Sequence, residues 1–233
     1  MNINRQLTFY DGVKACIPTV LGYMSIGLAT GVIGNASNLS VLEVTLMSII
    51  VYAGASQFII TGMMLIGSPI SAIVLTAFLI NSRHFLMSMA TAPHFKRYSL
   101  LNNIGIGSLL TDESFAVSMS SISKKEPIND SWMHGLNVTA YLSWIVACFL
   151  GALIGQWLPD PEPFGLDFAL VAMFIGLLYL QLIGDKSKKI VKLLIVMASV
   201  ALILIILMRF MSPEAALLAA TLIGCLIGVV IEK

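Results

Sequence analysis

The sequence predicts an all-α fold, a helical bundle embedded in a membrane. Of its 233 residues, 58% are hydrophobic and only 11% are charged, whereas about 25% of the residues in a typical soluble domain are charged. The apolar residues also gather in runs of about 20, the length that an α-helix needs to cross the hydrocarbon core of a bilayer. A soluble core of this chain length could not bury so much apolar surface, so the lipid bilayer must be the solvent for most of it.

Eight apolar segments are long enough to span a bilayer as helices. They cover residues 13–33, 41–66, 69–90, 100–121, 133–158, 166–184, 190–209 and 213–231. The connections between them are short, so we expect a single integral membrane domain over residues 1–233. The positive-inside rule does not fix the topology, because eight crossings score the same as an arrangement in which segment 100–121 enters and leaves on one side. We expect seven or eight membrane segments, and favour eight with both termini inside.

Charge and cysteine content argue against several classes of function. The net charge is +1, which gives no reason to expect nucleic acid as a partner. Cys16, Cys148 and Cys225 lie far apart in apolar segments, without metal-ligand or redox spacing, so we expect packing residues and neither a metal nor another cofactor. The stretch IGDKS, residues 183–187, is not a phosphate-binding loop, because Gly184 is followed by Asp185 where such a loop has lysine, and no strand is expected before it. We therefore expect no nucleotide site.

Three Gly-x-x-x-Gly pairs occur in the apolar segments, where they allow helix backbones to approach closely. The pairs are Gly27 with Gly31, Gly151 with Gly155, and Gly224 with Gly228. Packing inside the bundle is the favoured interpretation, and dimerisation is the alternative.

The first of three polar interruptions lies in VYAGASQFIITG, residues 51–62. Gly54, Ala55, Ser56 and Gln57 place small residues and one amide in an otherwise apolar run. A helix that breaks here frees backbone groups within the membrane. A half-helix N-terminus can then meet a carboxylate, and released carbonyl groups can meet an ammonium group. These four residues are therefore candidates for substrate binding. The alternative is a tight helix crossing in which Gln57 bonds to a neighbour.

The second interruption is NSRHF, residues 81–85. An arginine at the centre of a membrane helix costs about 2.5–3.5 kcal/mol on insertion scales, so Arg83 should be paired or hydrated. Asn81 and His84 lie on the same helix face and add hydrogen-bonding groups, which makes all three candidates for substrate binding. The alternative is that Arg83 extends to the membrane surface near Pro93, but about ten residues of helix, or about 15 Å, separate them.

The third interruption is LLTDESF, residues 109–115. Asp112 and Glu113 are adjacent, so on a helix their side chains point about 100° apart. We expect one of them to pair with Arg83 and the other to serve in proton or charge coupling. The alternative is an ordinary helix N-terminus, with Thr111 as the cap and the acids in the first turn. A short echo between ASQF, residues 55–58, and ESF, residues 113–115, suggests related half-helices and a possible inverted repeat.

Taken in order, these motifs resemble those of one family. LGYMSIGLATG, YAGASQF, NSRH and LTDESF, at these spacings, resemble the AzlC family of branched-chain amino acid permeases, most strongly over residues 15–120. The resemblance implies a secondary exporter of branched-chain, neutral aliphatic amino acids in the bacterial inner membrane. It also implies a small hydrophobic membrane partner of the AzlD type. We expect a transporter and not an enzyme, with a proton or ion gradient, or the substrate's own gradient, as the driving force.

Residues and resemblance agree on where the substrate would bind. A zwitterionic amino acid with an aliphatic side chain needs an anion site, a cation site and an apolar pocket, all away from lipid. The first two interruptions supply donors and backbone groups, and Asp112 is the favoured acceptor or proton carrier. We therefore expect Arg83 to be held by the acids at 112 and 113 beside a central cavity. A passive pore, or a transporter for another small solute, is the alternative function.

Overall fold

The structure is a computed structural model that describes residues 7–65, 67–124, 126–158, 190–211 and 213–232, together with residues 168, 175 and 179. Regular structure in these residues is helical and they contain no strand, so the predicted all-α class is confirmed. The predicted segment 166–184 lies outside the described residues apart from those three positions. Contacts divide the chain into two units, residues 1–172 and 173–233. A single domain stays a prediction.

The described part of the first unit contains eight helices. They are α1 (Phe9–Ala15), α2 (Ile17–Ala36), α3 (Val41–Ile50), α4 (Gly54–Leu65), α5 (Ile70–Phe95), α6 (Leu100–Ser108), α7 (Asp112–Ser123) and α8 (Asp130–Gly155). Local signals fix several of the starts. Ser40, for example, accepts a hydrogen bond from the Glu43 amide, and the Glu43 carboxylate accepts one from the Ser40 amide, which satisfies two donors that the first turn would otherwise leave free.

Four of the described helices are long and apolar enough to cross a membrane: α2, α5, α8 and, in the second unit, α9 (Ile190–Leu207). The predicted segments 41–66 and 100–121 each consist of two shorter helices. The first is interrupted at residues 51–53 and the second at residues 109–111. The chain is therefore a helical membrane protein with two broken segments among its described residues.

Glycine contacts join α2 to α8. An ideal Cβ on Gly27 would lie 2.6 Å from the Ala147 Cβ, and one on Gly31 would lie 2.7 Å from the Gly151 carbonyl carbon. One on Gly151 would in turn meet the Leu28 carbonyl oxygen at 2.2 Å. Residue numbers rise together along both helices, so α2 and α8 run in the same direction. For these two glycine pairs, packing inside the bundle is the interpretation that the structure confirms.

Helix α8 is the centre of the first unit, because α1, α2, α3, α6 and α7 all pack against it. Its buried face includes Met133, Leu136, Ala140 and Cys148, each fully shielded from solvent. Cys148 is a free thiol, in keeping with the packing role predicted for it. The central position of α8 lets its side chains reach both broken segments.

The second unit contains α9 and α10 (Pro213–Glu232), which pack against each other. Lys192 near the start of α9 donates a hydrogen bond to the carbonyl oxygen of Ile231 near the end of α10, so the two helices run in opposite directions. Gly224 faces Val200, whose Cγ2 lies 2.2 Å from an ideal Cβ at the glycine. This third predicted glycine contact also lies within the protein.

Candidate functional site

An open cavity of about 250 Å³ lies between the two broken segments. Its wall consists of residues 49–52, Asn81, His84, residues 107–110 and Tyr141. Residues 49–52 lead into the first interruption and residues 107–110 into the second, so the C-terminal ends of α3 and α6 both meet at this cavity. The last carbonyl groups of a helix lack partners within it, and they carry the negative end of the helix dipole.

Tyr52 shapes the first interruption. Its backbone φ angle is +42°, a left-handed conformation that is strained for a bulky residue and typical of functional sites. Its ring packs edge to face on Tyr141, with 4.7 Å between the ring centroids. The hydroxyl group is buried, and none of the described residues completes a hydrogen bond with it. Tyr52 therefore places an unsatisfied polar group beside the cavity.

The motif GASQ forms the first turn of α4, just after the interruption. An ideal Cβ on Gly54 would lie 2.9 Å from the Trp144 ring, so a glycine is needed for this close approach. The buried amide of Gln57 donates to Ser48 Oγ at 2.9 Å and accepts from Trp144 Nε1 at 2.7 Å. For Gln57 the structure thus shows the tight helix crossing that was the alternative interpretation.

None of the four residues of GASQ belongs to the cavity wall. Ala55, Ser56 and Gln57 are buried behind it. Ser56 contributes indirectly, because its hydroxyl group donates to Asn81 Oδ1 at 2.7 Å and so orients a side chain of the wall. Direct binding of substrate by Gly54, Ala55, Ser56 or Gln57 stays a prediction.

Arg83 lies on α5 and pairs with Asp112 at the start of α7. The distance between Arg83 Nη2 and Asp112 Oδ2 is 2.9 Å, and both side chains are about a quarter exposed, at 27% and 23%. The predicted ion pair is therefore present, and it joins α5 to the second broken segment. Neither residue belongs to the cavity wall.

Asn81 and His84 share the α5 face that borders the cavity, as their spacing predicts. His84 Nδ1 lies 3.2 Å from the Asn81 backbone oxygen. A carbonyl oxygen can only accept, so Nδ1 carries the hydrogen of this bond, and in the neutral ring Nε2 is left as an acceptor. Whether these side chains bind substrate stays a prediction.

Thr111 caps α7. Its hydroxyl oxygen accepts from the Ser114 amide at 3.4 Å, and Ser114 Oγ accepts from the Thr111 amide at 2.9 Å. Asp112 and Glu113 occupy the first turn, where negative side chains complement the helix dipole. The helix N-terminus that was the alternative interpretation of this motif is therefore present, at the start of the half-helix that follows the second interruption.

The two neighbouring acids point to different helices. Asp112 reaches α5, whereas Glu113 Oε2 accepts a hydrogen bond of 2.6 Å from the hydroxyl group of Tyr23 on α2. The Tyr23 oxygen lies 2.8 Å from Thr111 Oγ1. Because Tyr23 uses its single hydrogen toward Glu113, Thr111 is the donor in this second bond. No sequence motif predicted this role for Tyr23, because it lies outside the three polar interruptions.

Three side chains of α8 donate hydrogen bonds to the two broken segments, and the sequence motifs predicted none of them. Asn137 Nδ2 donates to the Ile106 carbonyl oxygen at 3.0 Å, and the Tyr141 hydroxyl group donates to the Ile49 carbonyl oxygen at 3.0 Å. Trp144 donates to the Gln57 amide. Their spacing of four and then three residues puts them on one helix face. The sequence signal for these contacts is the recurrence of hydrogen-bonding side chains at helical spacing in an otherwise apolar segment.

We expect Trp144→Phe to lower stability, because the buried Gln57 oxygen loses its donor while the apolar ring is kept. Leaving a buried acceptor unsatisfied costs about 1–3 kcal/mol. Thermal unfolding of purified protein in detergent measures the effect. The matched control is Trp157→Phe, because Trp157 is 87% exposed and its substitution should change stability by less than about 0.5 kcal/mol. Equal loss in both variants would contradict a structural role for the bond.

Comparison with known families gives one match over the first unit. The model of the family described as AzlC protein matches residues 18–158. That range begins in α2 and ends just after α8, so it contains both interruptions and the whole cavity wall. No solved structure gives a significant match to the chain.

Individual relatives extend the similarity over most of the chain. The chain is 28% identical to the inner membrane protein YgaZ of Escherichia coli, across 96% of this chain and 90% of that protein. It is 31% identical to an uncharacterized membrane protein of Archaeoglobus fulgidus, across 80% and 82% of the two chains. It is 23% identical to the branched-chain amino acid transport protein AzlC of Bacillus subtilis, across 80% and 74%.

Proposed function

The chain belongs to the AzlC family, and from that premise we propose that it is a secondary exporter of branched-chain amino acids. We further propose that it works in the bacterial inner membrane with a small hydrophobic subunit of the AzlD type. A relative named as a branched-chain amino acid transport protein supports the substrate class. The observation that carries the proposal is the cavity between two broken helices, the arrangement in which transporters bind small charged solutes.

The cavity wall offers one region for each part of a zwitterionic amino acid. The C-terminal ends of α3 and α6 lie at the wall, and the negative ends of their dipoles favour the ammonium group. Asn81 Oδ1 accepts from Ser56, so its amide hydrogens are available for the carboxylate, whereas His84 Nε2, an acceptor in the neutral ring, suits the ammonium group. Leu109 and Leu110, together with residues 49–51, form the apolar part of the wall and suit a branched aliphatic side chain.

The ion pair has a supporting role in this proposal. Arg83 and Asp112 join α5, which carries the polar wall, to α7, which follows the second interruption. Each charge of the pair compensates the other, so the pair itself adds no net charge near the proposed site.

The direction of α8 supports eight crossings over seven. Two membrane helices that run in the same direction must be separated by an odd number of crossings. Three segments lie between α2 and α8: α3 with α4, α5, and α6 with α7. If α6 and α7 only entered and left on one side, α2 and α8 would run in opposite directions. We therefore propose that the broken segment 100–121 crosses the membrane.

The test of the proposed function is intracellular accumulation of valine, leucine and isoleucine in bacteria that are fed dipeptides. Three strains are compared: one without the chain, one with the chain alone, and one with the chain and its proposed subunit. We expect the amino acid levels to fall only where both chains are present. Unchanged levels in every strain would reject this substrate class, and a flux that rises linearly with concentration would indicate a pore.

Asn81→Ala should reduce export by raising the substrate concentration needed for half-maximal flux. Asn81 lines the cavity, and loss of one or two hydrogen bonds to a charged ligand costs about 1.5–3 kcal/mol, or about tenfold to a hundredfold in affinity. The adjacent Ser82→Ala is the control, because Ser82 is exposed and bonds only to the Leu79 carbonyl of its own helix. Concentration-dependent efflux measures both. Equal effects would argue against a wall that binds substrate.

A further inference from the structure

We propose that Glu113 is the residue that binds the transported proton, and that the hydroxyl groups of Tyr23, Thr111 and Tyr52 connect it to the cavity. This rests on the proposed export function and deepens it, because it assigns different tasks to two adjacent acids. Asp112 fixes the second interruption through Arg83, whereas Glu113 changes its charge during transport.

Asp112 and Glu113 have different bonding partners, and these partners determine which of the two can change its charge. Asp112 lies 2.9 Å from the guanidinium group of Arg83, so protonation of Asp112 would break this ion pair inside the membrane, at high cost. Glu113 is bound by a neutral hydroxyl group at 2.6 Å. It can gain or lose a proton without breaking an ion pair, and that is the property a proton carrier needs.

The hydroxyl groups form a shielded path. Tyr23, Thr111 and Tyr52 are only 4%, 5% and 8% exposed. Tyr23 bonds to Glu113 and Thr111 to Tyr23. The Tyr52 hydroxyl group lies beside those two, but no described group completes its hydrogen bond. Tyr52 also belongs to the cavity wall, so it is the member of the path that borders the cavity.

Proton transfer along this path balances at each oxygen. Tyr23 passes its hydroxyl hydrogen to Glu113 Oε2, and Thr111 passes its own to Tyr23. Tyr52 makes no such bond in this structure, and it passes its hydrogen to Thr111 when its hydroxyl group turns to form one. A hydronium ion in the cavity then restores the hydrogen on Tyr52 and becomes water. Every hydroxyl group ends neutral and with one hydrogen, and the net change is one proton bound to Glu113. Release reverses each step.

Other titratable groups around Glu113 are neutral or acidic. Tyr23 and Cys16 face it from the α2 side, Tyr52 from the first interruption, and Asp112 from its own helix. Because Arg83 compensates Asp112, the charge of this region is set mainly by Glu113. Protonation of Glu113 therefore removes the net negative charge of this region.

The experiment uses everted membrane vesicles from cells that contain the full chain and the proposed subunit. Two assays are run with radiolabelled leucine. Counterflow, in which unlabelled leucine inside the vesicles exchanges for label outside, requires binding and alternation but no net proton movement. Accumulation driven by a pH gradient requires binding, alternation and net proton movement. We expect Glu113→Gln to keep counterflow within about twofold and to lose about tenfold or more of the driven accumulation.

Further variants keep the test decisive if Glu113→Gln also loses counterflow. Tyr23→Phe removes only the hydroxyl group that bonds to Glu113, and it should slow driven accumulation while counterflow persists. Glu113→Asp keeps a carboxyl group and should retain part of the driven accumulation. Asp112→Asn should lower both assays together, because it breaks the ion pair.

Each negative result has a separate meaning. Absence of counterflow in the unaltered chain would overturn the proposed function itself. Counterflow without any effect of a pH gradient would keep the function and overturn proton coupling. Full driven accumulation by Glu113→Gln, or equal losses in both assays for Tyr23→Phe, would overturn the assignment of Glu113.

Discussion

Reversal of either charge of the Arg83–Asp112 pair is expected to lower export by at least about tenfold, and reversal of both is expected to restore part of it. Arg83→Asp puts two carboxylates against each other, and Asp112→Arg puts two guanidinium groups together. An exposed ion pair contributes about 0–1 kcal/mol, whereas loss of one partner of a buried pair costs about 3–5 kcal/mol. This half-buried pair lies between these limits, so we expect losses of at least about tenfold.

The double variant Arg83→Asp with Asp112→Arg recreates opposite charges across the same pair of helices. It should recover export to within about tenfold of the unaltered chain, short of full recovery because the two side chains differ in length. The matched control combines Arg83→Asp with Glu113→Arg. It should not recover, because Glu113 points to Tyr23 on α2 and cannot reach α5 in the same way. Efflux assays, with protein levels in the membrane measured in parallel, distinguish these outcomes.

Recovery in the control as well would mean that the net charge of the region matters more than the pairing. Failure of the first double variant, with normal protein levels, would mean that Arg83 acts on the substrate directly. Either result would contradict the supporting role given to the ion pair.

Much of this arrangement could be predicted because it depends on local sequence signals. The interruptions follow from polar and small residues in apolar runs. The Thr111 cap follows from a residue type that satisfies free amides at a helix start. The Arg83 pair follows from the cost of an unpaired charge inside a membrane. In each case the signal lies either in residues a few positions apart or in a charge that needs an opposite charge beside it.

The contributions of α8 and Tyr23 could not be predicted in the same way. Asn137 and Tyr141 bind backbone carbonyl groups of Ile106 and Ile49, and a backbone carbonyl has no sequence signature that would identify its distant donor.

The exact position of the first interruption could not be predicted from its motif either. The motif GASQ predicts a break, but the chain leaves helical geometry at residues 51–53, and Gly54 is needed for contact with Trp144.

Gly31→Ala is expected to destabilise the protein more than alanine at any other glycine of α2. An ideal Cβ at Gly31 would lie 2.2 Å from the Cys148 carbonyl oxygen and 2.4 Å from the Ala152 amide nitrogen. Both are backbone atoms of α8, so no side chain can turn aside, and α2 must move away from its partner. Overpacking usually costs about 1–3 kcal/mol, and more where backbone must shift. The apparent melting temperature in detergent and the yield of monodisperse protein measure the loss.

The control is Gly22→Ala in the same helix, where an ideal Cβ meets no atom within 4 Å. Alanine is favoured over glycine inside helices by about 0.5–1 kcal/mol, so this variant should be neutral or slightly more stable. The two changes therefore have opposite expected signs for the same added methyl group. Because α8 also donates hydrogen bonds to both broken segments, displacement of α2 from α8 should impair export even in the fraction of Gly31→Ala protein that folds. Equal stability of the two variants would mean that α2 and α8 do not pack at this distance.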